Sequence, residues 1–223
     1  MELKNYQKKV IGDLTRYMEL LNEQGSLGRT WHAFWEEKNV PVGYGGVPAY
    51  QDILPEVPNL CFKVPTGGGK TFLACNAIKP IFDALPLTKS KVVVWLVPSE
   101  AILSQTLAAL KNPSHPYRQK IDEEFGSRVE IYTKQELLNG QNFNITTVRE
   151  QLSIMVLSYD SFRGRKEALK ARQENSNLAP MPKALGEPVY PIENAHETAL
   201  LQIINQLSPL VIVDESHHAQ SKL

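Results

Sequence analysis

Pro65-Thr66-Gly67-Gly68-Gly69-Lys70-Thr71 is the stretch that decides how this chain folds. Consecutive glycines let the backbone adopt positive φ at little steric cost, so that several N–H groups turn inward around an anion. A helix beginning at Lys70 adds its own unsatisfied N–H groups and the positive end of its dipole. Lys70 then brings a point charge to the β- and γ-phosphates of a nucleotide, and the Thr71 hydroxyl is placed to ligate the accompanying Mg²⁺. The strict pattern G-x-x-x-x-G-K-[ST] is not met, because Val64 stands where its first glycine falls. The stretch is therefore either a T-G-x-G-K-T phosphate loop or a glycine-rich turn with a chance Lys-Thr. Its flanks favour the loop. Residues 59–64 read as a short buried strand, and Phe72, Leu73, Ala77, Ile78, Ile81, Phe82 and Leu85 recur at helical spacing after it.

A second chemical cluster lies far downstream. Leu210-Val211-Ile212-Val213 reads as a buried strand, and Asp214-Glu215-Ser216-His217-His218 follows at its C-terminal end, where open α/β sheets place their ligands. An Asp there can hold Mg²⁺ through water, and a Glu one residue on can orient and deprotonate an attacking water. His217 can couple nucleotide state to a neighbouring surface by hydrogen bonding. Two other readings stand beside this one: Asp214, His217 and His218 as metal ligands, and a purely structural acidic turn.

Between these clusters the chain alternates. A helix is expected over residues 4–23, where Val10, Ile11, Leu14, Tyr17, Met18 and Leu21 trace one apolar face. Tyr6-Gln7 stands at its mouth, and the Gln7 amide is either solvated or offered to an adenine edge. Residues 24–58 are rich in Gly and Pro and read as an insertion, interrupted by Trp31-His32-Ala33-Phe34-Trp35. Those aromatics either pack inward or form a stacking platform for bases. Lys91-Val92-Val93-Val94-Trp95-Leu96-Val97 is a continuous apolar run of the kind found in a central parallel strand, with Ser99 as the N-cap of the next helix. Further strands are expected over residues 128–132 and 153–158, and a helix over 193–207. Residues 161–194 form a second insertion in which Arg163, Arg165, Lys166, Lys170 and Arg172 cluster, as a solvated surface or beside a nucleic-acid track.

The 223 residues suit one large α/β domain with a substantial core. Lysine plus arginine equals aspartate plus glutamate at 24 each, which counts against a basic protein that coats nucleic acid. No apolar run is long enough to cross a membrane, and the N-terminus lacks the plan of a signal peptide, so a cytoplasmic location is expected. The two cysteines, Cys61 and Cys75, read as buried thiols.

Taken in order, Tyr6-Gln7, the Thr66-to-Thr71 loop, Val97-Pro98-Ser99 with Gln105, Leu157-Ser158-Tyr159 and Asp214-Glu215-Ser216-His217 resemble the first RecA-like lobe of a superfamily 2 helicase or translocase. The wording P-T-G-G-G-K-T and D-E-S-H is similar to that of the Res subunit of type III restriction enzymes and its DEAD/DEAH-box relatives. The resemblance spans nearly the whole chain. It implies a three-layer P-loop (Walker A) domain with a mainly parallel sheet, ATP and Mg²⁺ as cofactors, and these roles by position. Gln7 reads adenine; Thr66, Gly67, Gly68, Gly69, Lys70 and Thr71 bind phosphates; Thr71 and Asp214 hold Mg²⁺. Glu215 is the catalytic base, with Lys70 beside it in catalysis, and His217 couples. Pro98, Ser99, Ser158 and Tyr159 contact the nucleic-acid backbone.

Ser216 leans away from the RNA-remodelling groups, so the resemblance points to duplex DNA held without sequence preference, and to a modification or recognition subunit as a further partner. Family members complete their site with an arginine from a second lobe. Here the chain ends at Leu223, soon after the acidic cluster, so residues 1–223 are expected to be one lobe of a longer protein, with little turnover alone. An RNA helicase lobe and a non-hydrolysing nucleotide-binding regulatory module are the alternatives.

Overall fold

A computed structural model of the chain describes residues 1–85, 90–161, 178–187 and 200–215. They fall into two compact units, Met1–Pro86 and Leu87–Leu223.

The first unit is helical. Helix α1 (Asn5–Gln24) follows the apolar stripe expected of it and stops at Gly25, whose left-handed backbone (φ 60°) and N–H to the Leu21 carbonyl close the last turn. Leu14, Tyr17 and Met18 on its buried face pack with Phe34, Trp31 and Trp35 of α2 (Leu27–Glu37) and with Ala77, Ile81 and Ala84 of α3 (Lys70–Ala84). The aromatics of the first insertion therefore turn inward, meeting edge to face: Tyr17 on Phe34 at 5.6 Å between centroids and Trp31 on Trp35 at 5.5 Å. Arg16 ties the two helices together at the surface, binding Glu37 of α2 at 2.7 Å as well as Glu19 and Glu23 of its own helix.

The strand expected over residues 59–64 is not formed. The segment has no regular structure and most of it is exposed, and the only β pairing among the described residues of this unit is the single bridge Val42–Val47. The apolar run describes what a strand needs on its faces, but a strand also needs a neighbour for its N–H and C=O groups, and the helices of this unit offer none. The same difference exposes Cys61, against the expectation of a buried thiol, whereas Cys75 inside α3 is buried.

The second unit is an α/β layer structure. Its four strands, β1 (Lys91–Val97), β2 (Val129–Tyr132), β3 (Leu152–Ser158) and β4 (Leu210–Val213), form one sheet in the order β2-β3-β1-β4, with every pairing parallel. All four were legible in the sequence, β1, β3 and β4 as apolar runs and β2 by its alternation. Parallel neighbours require a crossover, and each crossover here carries helices. After β1 come α4 (Glu100–Lys111), capped by Ser99 Oγ accepting from the Ile102 N–H, and α5 (Pro116–Phe125). After β2 come α6 (Lys134–Leu138) and α7 (Ile145–Glu150), and before β4 stand α8 (Met181–Leu185) and α9 (Leu200–Gln206). The second insertion's basic cluster, Arg163 to Arg172, and residues 193–199 of the expected helix lie outside the described residues.

Side chains alternate across a strand, so β1 feeds two cores. Val92, Val94 and Leu96 join Met155 and Leu157 of β3 in a cluster closed by Leu137, Val148, Met181, Leu200, Ile203 and Ile204 from α6 to α9. Val93, Trp95 and Val97 face the other way and are buried as well, with α4 packed on β1, β2 and β3. Helices thus cover both faces of the sheet, as a continuous apolar run in a parallel strand requires. β4 is the exception: it lies at the edge, and Val211 and Val213 remain half exposed.

Candidate functional site

The phosphate loop belongs to the first unit and the acidic turn to the second.

In the loop, the Gly68 N–H donates to the Pro65 carbonyl at 2.9 Å, closing a four-residue turn. Gly67, at the third position of that turn, has φ 73°, which a type II turn requires and a residue with a Cβ resists. Gly69 has φ 71° and caps α3 with no side chain of its own, so the first turn of a 15-residue helix opens directly onto the loop at Lys70. A Cβ built on Gly68 would lie 2.7 Å from Val64 Cγ1 and 2.8 Å from the Pro65 oxygen; one on Gly69 would lie 2.7 Å from Gln7 Nε2. The backbone is thus folded as tightly as glycine alone permits, and it leads into a helix N-terminus, whose backbone N–H groups and dipole favour an anion. Thr66 and Gly67 are exposed, and Lys70 and Thr71 half-buried.

Gln7 stands against this loop. Helices α1 and α3 run side by side in one direction: Gln7 near the start of α1 donates from Nε2 to the Gly68 carbonyl at 2.9 Å, and Asn22 near its end donates to the Ala84 carbonyl at the end of α3. Gln7 Oε1 in turn accepts from the Lys4 N–H at 2.8 Å, and the side chain is 5 % exposed. A carboxamide keeps a second N–H and a second lone pair beyond these two bonds, the pair of groups an adenine edge needs. The phenol of Tyr6 also donates to the Gly68 carbonyl, at 2.6 Å, a loop contact that its sequence position beside Gln7 hinted at without specifying.

In the second unit, the strand ends converge. Ser99 is exposed after β1 and Pro98 is half-buried. Ser158, at the end of β3, is buried and its Oγ lies 3.3 Å from Ser161 Oγ across the 3₁₀ turn Tyr159–Ser161. The Asp214 N–H continues the β1–β4 ladder by donating to the Leu96 carbonyl at 2.9 Å. The Asp214 carbonyl accepts a hydrogen bond from the Tyr159 phenol. Glu215 follows in the left-handed region with φ 51°, and both acids are half-buried. Burial, and then the neighbouring carboxylates of Asp214 and Glu215, push the Tyr159 phenol above its ordinary range, so it remains a donor at neutral pH. Ser216, His217 and His218 lie outside the described residues, and among those described no group of His, Cys, Asp and Glu is arranged to hold a metal ion by itself.

No helix among the described residues is long and apolar enough to cross a membrane. No curated protein and no solved structure matches the chain. A family model described as the type III restriction enzyme res subunit matches residues 1–223 in full. That family is a helicase superfamily 2 N-terminal domain, RecA-like, whose members act on nucleic acid and generally use nucleotide with Mg²⁺ in ATP-dependent, helicase-like work. On the match over its whole length, and with an all-parallel α/β sheet, the chain belongs to the res-subunit family of type III restriction enzymes.

Proposed function

We propose that residues 1–223 are the first, ATP-binding lobe of a DNA translocase, working with a second RecA-like lobe. The observation that carries this reading is the glycine loop: its turn at Gly67, its Gly69 cap and the start of α3 at Lys70 make a cradle for phosphate. In this reading Lys70 neutralises charge on the β- and γ-phosphates, and the Thr71 hydroxyl and Asp214 hold Mg²⁺. The metal, when bound, offsets the charge that builds up on the phosphoryl oxygens. Glu215 orients the attacking water and accepts its proton. Gln7 fixes the loop from behind and presents its remaining amide valences to adenine. Ser99, beside Pro98 at the tip of β1, and the β3 tip at Ser158-Tyr159 form the side that meets the DNA backbone, where contacts position the duplex without reading its sequence. His217 carries nucleotide state to that side. A modification or recognition subunit supplies the sequence preference this lobe lacks.

The test is ATP turnover by the full-length native polypeptide, with and without duplex DNA or RNA, beside its Lys70→Ala variant. Stimulation by duplex DNA is expected, with a loss of roughly 10²-fold or more in the variant, the scale of removing one preorganised donor to a developing charge. Stimulation by RNA alone moves the protein to an RNA helicase. ATP binding without turnover makes it a nucleotide-dependent regulatory module.

A further inference from the structure

Three strand ends meet at one peptide group. In the order β2-β3-β1-β4, β3 and β4 are not neighbours. The Tyr159 side chain therefore spans the end of β1 to reach the Asp214 carbonyl, while the Asp214 N–H is held by Leu96 of β1 itself. The carbonyl of Asp214 and the nitrogen of Glu215 share one rigid plane. Fixing that plane fixes the axis about which Glu215 takes its φ of 51°, a conformation that a residue with a Cβ leaves unless its surroundings hold it. The other end of the clamp is equally seated, since Tyr159 starts a 3₁₀ turn closed by the buried hydroxyls of Ser158 and Ser161.

We propose that Tyr159 is a positioning residue for hydrolysis. Its phenol clamps the Asp214 carbonyl, keeps Glu215 in the geometry from which its carboxylate addresses water, and makes that geometry depend on the β3 tip. This rests on the lobe reading above, and it gives Tyr159 a task in addition to its place on the side that meets nucleic acid. A nucleic-acid backbone that shifts the Ser158–Ser161 turn would act on Glu215 through one hydrogen bond.

The experiment is Tyr159→Phe in the full-length polypeptide, which keeps the ring and removes only the donor. The expected result is a kcat for ATP lowered between roughly tenfold and a hundredfold, the range from one lost hydrogen bond to a misplaced catalytic group. KM for ATP stays within about twofold, since no ground-state contact to the nucleotide is altered. Amide exchange in residues 210–215 speeds up in the same variant, a readout that needs no turnover. An unchanged kcat, or DNA affinity that falls while kcat at saturating DNA is kept, overturns the clamp. Unchanged exchange overturns it as well, whether or not the protein hydrolyses ATP. Turnover that survives Lys70→Ala defeats the lobe reading instead, and the exchange measurement then still decides whether the clamp exists.

Discussion

At Gly68 a methyl group has nowhere to go. Its carbon would sit 2.7 Å from Val64 Cγ1 and 2.8 Å from the Pro65 oxygen, and the second of these is backbone that cannot rotate away. Gly67 is different: a Cβ there meets open space, and only its φ of 73° objects. Gly68→Ala is therefore expected to distort the loop and weaken nucleotide binding about tenfold or more, whereas Gly67→Ala costs roughly 1–2 kcal/mol of backbone strain with the cradle's outline kept. Equilibrium titration of both variants with a fluorescent ATP analogue checks the order. The start of α3 at Lys70 was readable from the sequence because the glycines interrupt the chain immediately before a run of helical spacing. The Tyr159 phenol was read only as part of a nucleic-acid-facing pair. Its bond to Asp214 depends on which strands end side by side, and no spacing along the chain encodes that.

Among the elements, long periodic segments declared themselves: α1, α3 and α4 by their apolar stripes, β1, β3 and β4 by unbroken apolar runs. The short helices α6 and α7 were missed, although Thr133 with Glu136 forms a capping box and Asn144 caps two N–H groups, because five or six residues show no period. Residues 59–64 failed in the opposite way, with the composition of a strand but no partner within their unit. This difference has a chemical readout. Cys61 is exposed, while burial pushes the Cys75 thiol up to about 12, so that almost none of it is thiolate at neutral pH. A thiol reagent added to the native protein is expected to modify Cys61 promptly and Cys75 only on unfolding. Fast labelling of neither cysteine would mean that residues 59–64 are covered as a strand would be.

For the whole molecule, the proposed division of labour between lobes sets an expectation for residues 1–223 by themselves. They should bind nucleotide yet hydrolyse it slower than the full-length polypeptide by roughly 10³-fold or more, the scale on which a missing arginine is felt in phosphoryl transfer. Matched turnover assays on the two polypeptides measure the ratio, and comparable rates would mean that this lobe is catalytically self-sufficient. The parallel sheet has a further consequence, for how the protein is made. Val93 of the central strand pairs with Leu210, more than a hundred residues later. A ribosome adding about 5–20 residues each second needs roughly 6–24 s to deliver that partner. Through that interval β1 has an open flank, and it closes only when the strand carrying the acidic turn emerges. Synthesis of this chain therefore includes a waiting period of sticky, half-paired sheet. Slower growth at low temperature, or a chaperone that shields strand edges, is expected to raise the yield of folded protein more than any change at the nucleotide loop.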